Sequence, residues 1–402
     1  MKRKPLIPCF LAVAAALCAE PLSSPTWGFR IDPPAGYELA ARDGNDSYSF
    51  ASPFGAALDL AVYRGKTAGD LAKEIGQKLS NRGETEFFDY NGKKAALIEL
   101  KFPHSRARGA PLITGWALVL ELDAKQNNGA RPAANQKPVL AALSYGEAGQ
   151  ADQLHLSILD SICGGDGDRF TPGPVTSFVW PRGEWEEKPL ALDAGRALFR
   201  AGDAEAAQAV VDREFAVLRL YTNSPLWQEA WTRFYRAVYR DSFDRLKSAA
   251  FVLERGWVNG ERSGGGTGEN RLETRERQER LIGEKALAWI QSFSYERDLM
   301  GSDFVNLISA AREGRGDCDS RAMLWAVILE QADISAAIMV SREYGHAMGL
   351  ALIEGAGARF PLMDADGKQR RWLVAETTAA VELGMIGEKV NETDKWLGIL
   401  FE

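Results

Sequence analysis

The stretch Glu313-Gly-Arg-Gly-Asp-Cys-Asp-Ser-Arg-Ala-Met-Leu-Trp325 runs from a glycine-broken turn straight into an apolar segment, Ala322 to Leu329. That sequence predicts a buried helix with Cys318 at its start. A thiol at a helix N-terminus meets the positive end of the backbone dipole and unpaired N–H groups, which favour the thiolate. One of only three histidines, His346, follows 28 positions later and opens a second apolar stretch, Ala347 to Ile353. A nucleophile and a base, each placed by a regular element, point to acyl-transfer chemistry. Asp317 and Asp319 flank the thiol and oppose its ionisation unless they cap the helix or pair with Arg315 or Arg321. Activation is therefore expected to come mainly from a histidine partner.

A carboxylate that orients the imidazole would complete the set. Glu376 ends the apolar strand Arg370 to Ala375, and Asp364 lies 18 residues after His346. Asp364-Ala-Asp-Gly367 reads as a hairpin turn, and turn tips face solvent, so Glu376 is preferred and Asp364 kept as its rival. The backbone N–H of Cys318 would supply part of an oxyanion hole, with Tyr295 or a neighbour as a further donor.

Gly316-Asp317-Cys318-Asp319-Ser320-Arg321-Ala322, then Gly345-His346-Ala347, then Trp372-Leu-Val-Ala-Glu-Thr-Thr378, resembles the transglutaminase-like superfamily over about residues 283–380. The helix and tyrosine of Ala286 to Tyr295 resemble the segment that precedes the nucleophile there. The resemblance implies a papain-like core, with cysteine on a helix and histidine and acid on neighbouring strands. The catalytic residues it implies are Cys318, His346 and Glu376, without a cofactor. This chain has Glu-Thr-Thr where the family usually shows Asp-Pro-Thr. The implied activity is that of a protease or amidase rather than a cross-linker, acting on proteins or on peptides such as those of a cell wall. A non-catalytic envelope scaffold that retains the fold is the alternative.

Met1-Lys-Arg-Lys4 followed by the apolar run Leu6 to Ala19 reads as a secretory signal peptide, which implies a periplasmic or extracellular protein. No later run is long enough for a membrane helix. The chain carries a formal charge of −7, which argues against a nucleic-acid partner. Of four cysteines, Cys163 and Cys318 lie beyond the leader and could pair, although the thiol chemistry requires Cys318 to be free. No His/Cys cluster has zinc-ligand spacing, so no transition metal is expected.

The fold class is α+β, with an N-terminal antiparallel-sheet sandwich, a helical middle and a C-terminal transglutaminase-like core. The expected divisions are a leader over 1–19, a sandwich over 27–163 and a linker over 164–189. A helical region over 190–282 and the thiol domain over 283–402 follow. Leu58 to Tyr63 alternates as a half-buried strand, Thr67 caps a helix bearing Leu71, Ile75 and Leu79, and Asn91-Gly92 marks a hairpin. The topology vaguely resembles a PsbP/Mog1-like sandwich. Four prolines punctuate the linker. Beyond it, Ala191 to Ala201 and Ala204 to Tyr221 read as a helical hairpin around Gly202-Asp203. Trp227, Trp231, Tyr235 and Val238 form a stripe at helical spacing, read as core packing.

Overall fold

In a computed structural model of the chain the described residues are 21–105, 110–123, 137–149, 152–261, 271–296, 304–364 and 366–401. The leader over 1–19, nearly all of the polar stretch 123–137 and the glycine loop 263–268 lie outside them. The fold is mixed α+β. Among the described residues there are eight α-helices: α1 (Ala68–Leu79), α2 (Asp152–Asp160), α3 (Pro174–Val179), α4 (Asp203–Arg219), α5 (Trp227–Glu261), α6 (Arg271–Gln291), α7 (Leu307–Glu313) and α8 (Cys318–Gln331). None is long and apolar enough to cross a membrane.

A seven-stranded antiparallel sheet forms the N-terminal half. Its order is Glu38–Asp43, Ser47–Ala51, Ala57–Tyr63, Val139–Glu147, Leu112–Glu121, Lys93–Pro103 and Thr85–Tyr90. Asn91 and Gly92 take positive φ, 48° and 76°, and close the tight turn that pairs Tyr90 with Lys93. Thr67 accepts from the Asp70 N–H to start α1, whose Leu71 and Ile75 cover one face of the sheet. The other face packs α2 and also Val217 and Tyr221 from the far side of the chain's middle.

Two readings require correction. Residues 164–189 are not a bare linker: they hold α3 and the strand Trp185–Pro189. The segment Ala191 to Ala201 is not a helix. It contains a short 3-10 turn, Ala191–Asp193, and a strand, Arg196–Arg200, that pairs antiparallel with Trp185–Pro189. Ala197 and Phe199 are buried and Leu198 is exposed, so period-two packing overrides the helix preference of the alanines and leucines. The expected boundary at 282/283 falls inside α6.

The C-terminal half holds a five-stranded antiparallel sheet in the order Arg359–Met363, Gln369–Ala375, His346–Ala351, Ala336–Ser341 and Leu397–Ile399. Helix α8 lies on this sheet. Every residue from Ala322 to Leu329 is at most 2% exposed, which a helix apolar on all sides requires. One core joins α8 to α4, α5, α6 and α7 and to the inner face of the sheet. Trp325 donates to the Gly283 carbonyl at 3.1 Å and its ring lies flush against Gly349 of the histidine strand. A Cβ on Gly349 would come 2.4 Å from the Trp325 ring.

Between the halves lies a buried ionic cluster. Arg233 reaches Glu214 at 2.6 Å and the Ser157 hydroxyl at 2.8 Å, and Arg213 bridges Glu214 and Asp160. Burial alone would raise both carboxyls, but the facing guanidinium groups outweigh it and hold Asp160 and Glu214 below the usual carboxylate range. That stabilisation is complete above the unfolded carboxylate pKa, about 4, and is lost as pH falls through the lower folded values. Glu214→Ala strands two buried arginines and is expected to cost about 3–5 kcal/mol in urea unfolding at pH 7, with the difference from wild type shrinking in acid. Gly349→Ala is expected to cost about 1–3 kcal/mol by displacing Trp325, seen as a changed near-ultraviolet circular dichroism spectrum and a lower Tm.

Candidate active site

Cys318 is the first residue of α8, and the cap before it is Asp317, whose carboxylate accepts the Ser320 N–H at 2.8 Å. The first-turn N–H groups, Cys318's among them, have no acceptor within the helix. Ser320 in turn accepts the Val305 N–H at 2.8 Å, tying the cysteine turn to the start of α7. Arg321 is 1% exposed and sends its guanidinium to backbone carbonyls: Gly316 at 3.1 Å, Phe293 at 2.8 Å and Thr377 at 3.4 Å. It thereby joins the nucleophile's turn, the end of α6 and the loop after Glu376. Arg315 pairs instead with Glu313 and Glu296.

His346 opens its strand opposite Ser341. Its Nε2 lies 2.8 Å from Glu376 Oε2, while Glu376 Oε1 accepts the Thr378 N–H and hydroxyl at 2.8 and 2.7 Å. Gln291 of α6 donates to the Glu376 carbonyl at 2.8 Å and so fixes the strand end. Burial raises the Glu376 carboxyl, but hydrogen bonds from His346 and Thr378 outweigh it and leave the group below its ordinary pKa. An ionised carboxylate only accepts, so Nε2 carries the proton and Nδ1 of the neutral ring is left as a base. Asp364 sits elsewhere, at a turn, bonded to Lys368 and Arg370 at 2.8 Å each.

The Cys318 sulfur is 7% exposed as a residue and lies within hydrogen-bond reach of the Ala347 N–H, the residue after His346, and of the Tyr295 hydroxyl. Tyr295 is held there by a short parallel pairing of Ser294–Tyr295 with Arg315–Gly316. Burial first, then the charges of Asp319 and Asp317, push the thiol well up; the Ala347 and Tyr295 donors offset this only in part. Cys318 and Cys163 are both free and buried, with no disulfide between them.

Cys318 and His346 line one cavity of about 280 Å³. Its walls include Trp231, Phe234 and Tyr235 from α5, Phe215 and Leu218 from α4, and Phe304. The sequence stripe on α5 is thus only partly core: Val238 is buried, but Trp231 and Tyr235 face this cavity. Helical periodicity shows which face is apolar and is silent on whether protein or a cavity lies opposite. Donor atoms of Asp317, Cys318 and Asp319 lie within 4.8 Å of one another, yet the Asp317 carboxylate is engaged by the helix cap. A larger hollow of about 490 Å³ borders Cys163, with Arg30, Asp123 and Arg169 but no histidine in its lining.

No family model matches the chain, and no curated protein matches it in sequence. Among solved structures, a protein from Bacteroides thetaiotaomicron is similar at 10% identity over 55% of this chain and 78% of that one, with a TM-score of 0.25. A protease candidate from Parabacteroides distasonis is similar at 11% identity over 82% of this chain and 68% of that one, with a TM-score of 0.20. Likenesses at these scores carry no weight for fold or chemistry.

Proposed function

We propose that this chain is an exported thiol enzyme of the transglutaminase-like kind, which hydrolyses or transfers acyl groups from amides of proteins or peptides. The observation that carries the reading is the 2.8 Å bond between His346 Nε2 and Glu376, with the Cys318 sulfur against the neighbouring Ala347 N–H. In this reading Nδ1 of His346 takes the thiol proton as sulfur bonds to the carbonyl carbon. The Cys318 N–H and the Tyr295 hydroxyl meet the developing oxyanion. The proton then passes to the departing amine, leaving a thioester that water or a second amine resolves. Because the resting thiol is held protonated, proton transfer must accompany attack rather than precede it.

The elevated thiol also favours a second reading, a scaffold whose buried cysteine is inert. Alkylation by a small peptide-like thiol probe separates the two. The enzyme predicts labelling of Cys318 near pH 7, lowered at least about tenfold by His346→Ala, whereas an inert thiol stays unlabelled. Glu376→Gln should keep the fold but remove the fixed tautomer, lowering turnover by roughly 10²–10⁴-fold, measured as kcat on an amide or ester substrate. Equal rates in wild type and Glu376→Gln would sink the triad.

A further inference from the structure

We propose that the cavity over Cys318 receives a cationic side chain, a lysine or arginine next to the carbonyl under attack, and that Asp319 selects it. The proposal deepens the thiol-enzyme reading and rests on it. The cavity has two kinds of wall. Trp231, Phe234, Tyr235 and Phe304 make one side flat and apolar, and Asp317 and Asp319 put two carboxylates beside the sulfur. Rings alone would suit any neutral hydrophobic side chain. The carboxylates exclude an acidic one by like-charge repulsion and disfavour a neutral one, which would have to displace their water without replacing it.

A long basic side chain satisfies both surfaces. Its methylenes lie along the rings while its head reaches the carboxylates, and the aromatic faces add cation–π attraction. Asp319 is the better determinant of the two acids. Its carboxylate is positioned by the Tyr235 hydroxyl, whereas Asp317 is turned into the helix cap. Neither adjacent guanidinium directs its hydrogen bonds to Asp319: Arg315 bonds Glu313 and Glu296, and Arg321 bonds backbone carbonyls. A bound cation would also counter the two charges that, after burial, keep the thiol protonated. The correct substrate would thus improve the nucleophile that attacks it.

Four acetyl-dipeptidyl acyloxymethyl ketones, identical except for lysine, arginine, norleucine or glutamate at the residue bearing the ketone, test this on the full chain. Each forms a thioether with release of the carboxylate, and mass analysis of the Cys318 peptide gives the rate. The lysine and arginine probes should label at least about tenfold faster than norleucine, with glutamate slowest. Asp319→Asn should bring the lysine-to-norleucine ratio near one, while Asp319→Glu retains it. Equal rates for all four in the wild type, or a ratio unchanged in Asp319→Asn, overturns the selectivity but leaves the thiol enzyme standing. Failure of all four to label Cys318 overturns both.

Discussion

Arg321 holds the site together. A guanidinium this deeply buried is tolerable only if its donors are used, and here they go to three carbonyls from segments far apart in sequence. Those segments carry Gly316 before the nucleophile, Phe293 before Tyr295, and Thr377 after Glu376. The side chain therefore fixes relative positions that no single element could fix. Lysine would keep the charge but could not span three acceptors with its compact ammonium head.

Around that anchor the electrostatics are opposed rather than concerted. The helix N-terminus, the Ala347 N–H and Tyr295 favour a thiolate, while burial and two flanking aspartates disfavour it. The aspartates have structural work that explains one of them: Asp317 caps α8 through Ser320. Asp319 has no comparable duty in the helix and instead meets Tyr235 across the cavity. The cavity edge is thus more acidic than helix capping alone requires.

Much of this was legible from residue order. Asn91-Gly92 announced its hairpin because few other pairs adopt positive φ twice, and Thr67 announced α1 because its hydroxyl competes for a first-turn N–H. The choice of Glu376 over Asp364 followed from turn chemistry, and it is the Glu376 carboxylate that meets His346. The hairpin of residues 185–200 was not legible. Arg196-Ala-Leu-Phe-Arg200 is made of good helix formers, and only tertiary contact with α5 reveals its alternation, as where Leu198 donates its N–H to Ser248. The cavity walls were hidden for a different reason, since Trp231 and Tyr235 obey the same period as buried Val238.

Helix α5 explains why the N-terminal half matters to the thiol. Trp231, Phe234 and Tyr235 face the Cys318 cavity, while Arg233, Arg236 and Arg240, interleaved with them, turn to the other side. Arg233 bonds Glu214 and the Asp32 carbonyl, Arg236 forms a bidentate pair with Asp32, and Arg240 binds the carbonyls of Asp160 and Ile162. Rotation of α5 about its axis would break these buried bonds, each costly to leave unmade. The angular position of the aromatic wall is consequently set by charges anchored in the segments that flank the seven-stranded sheet. The N-terminal half is therefore not an appendage on a tether: it clamps one side of the cavity from behind.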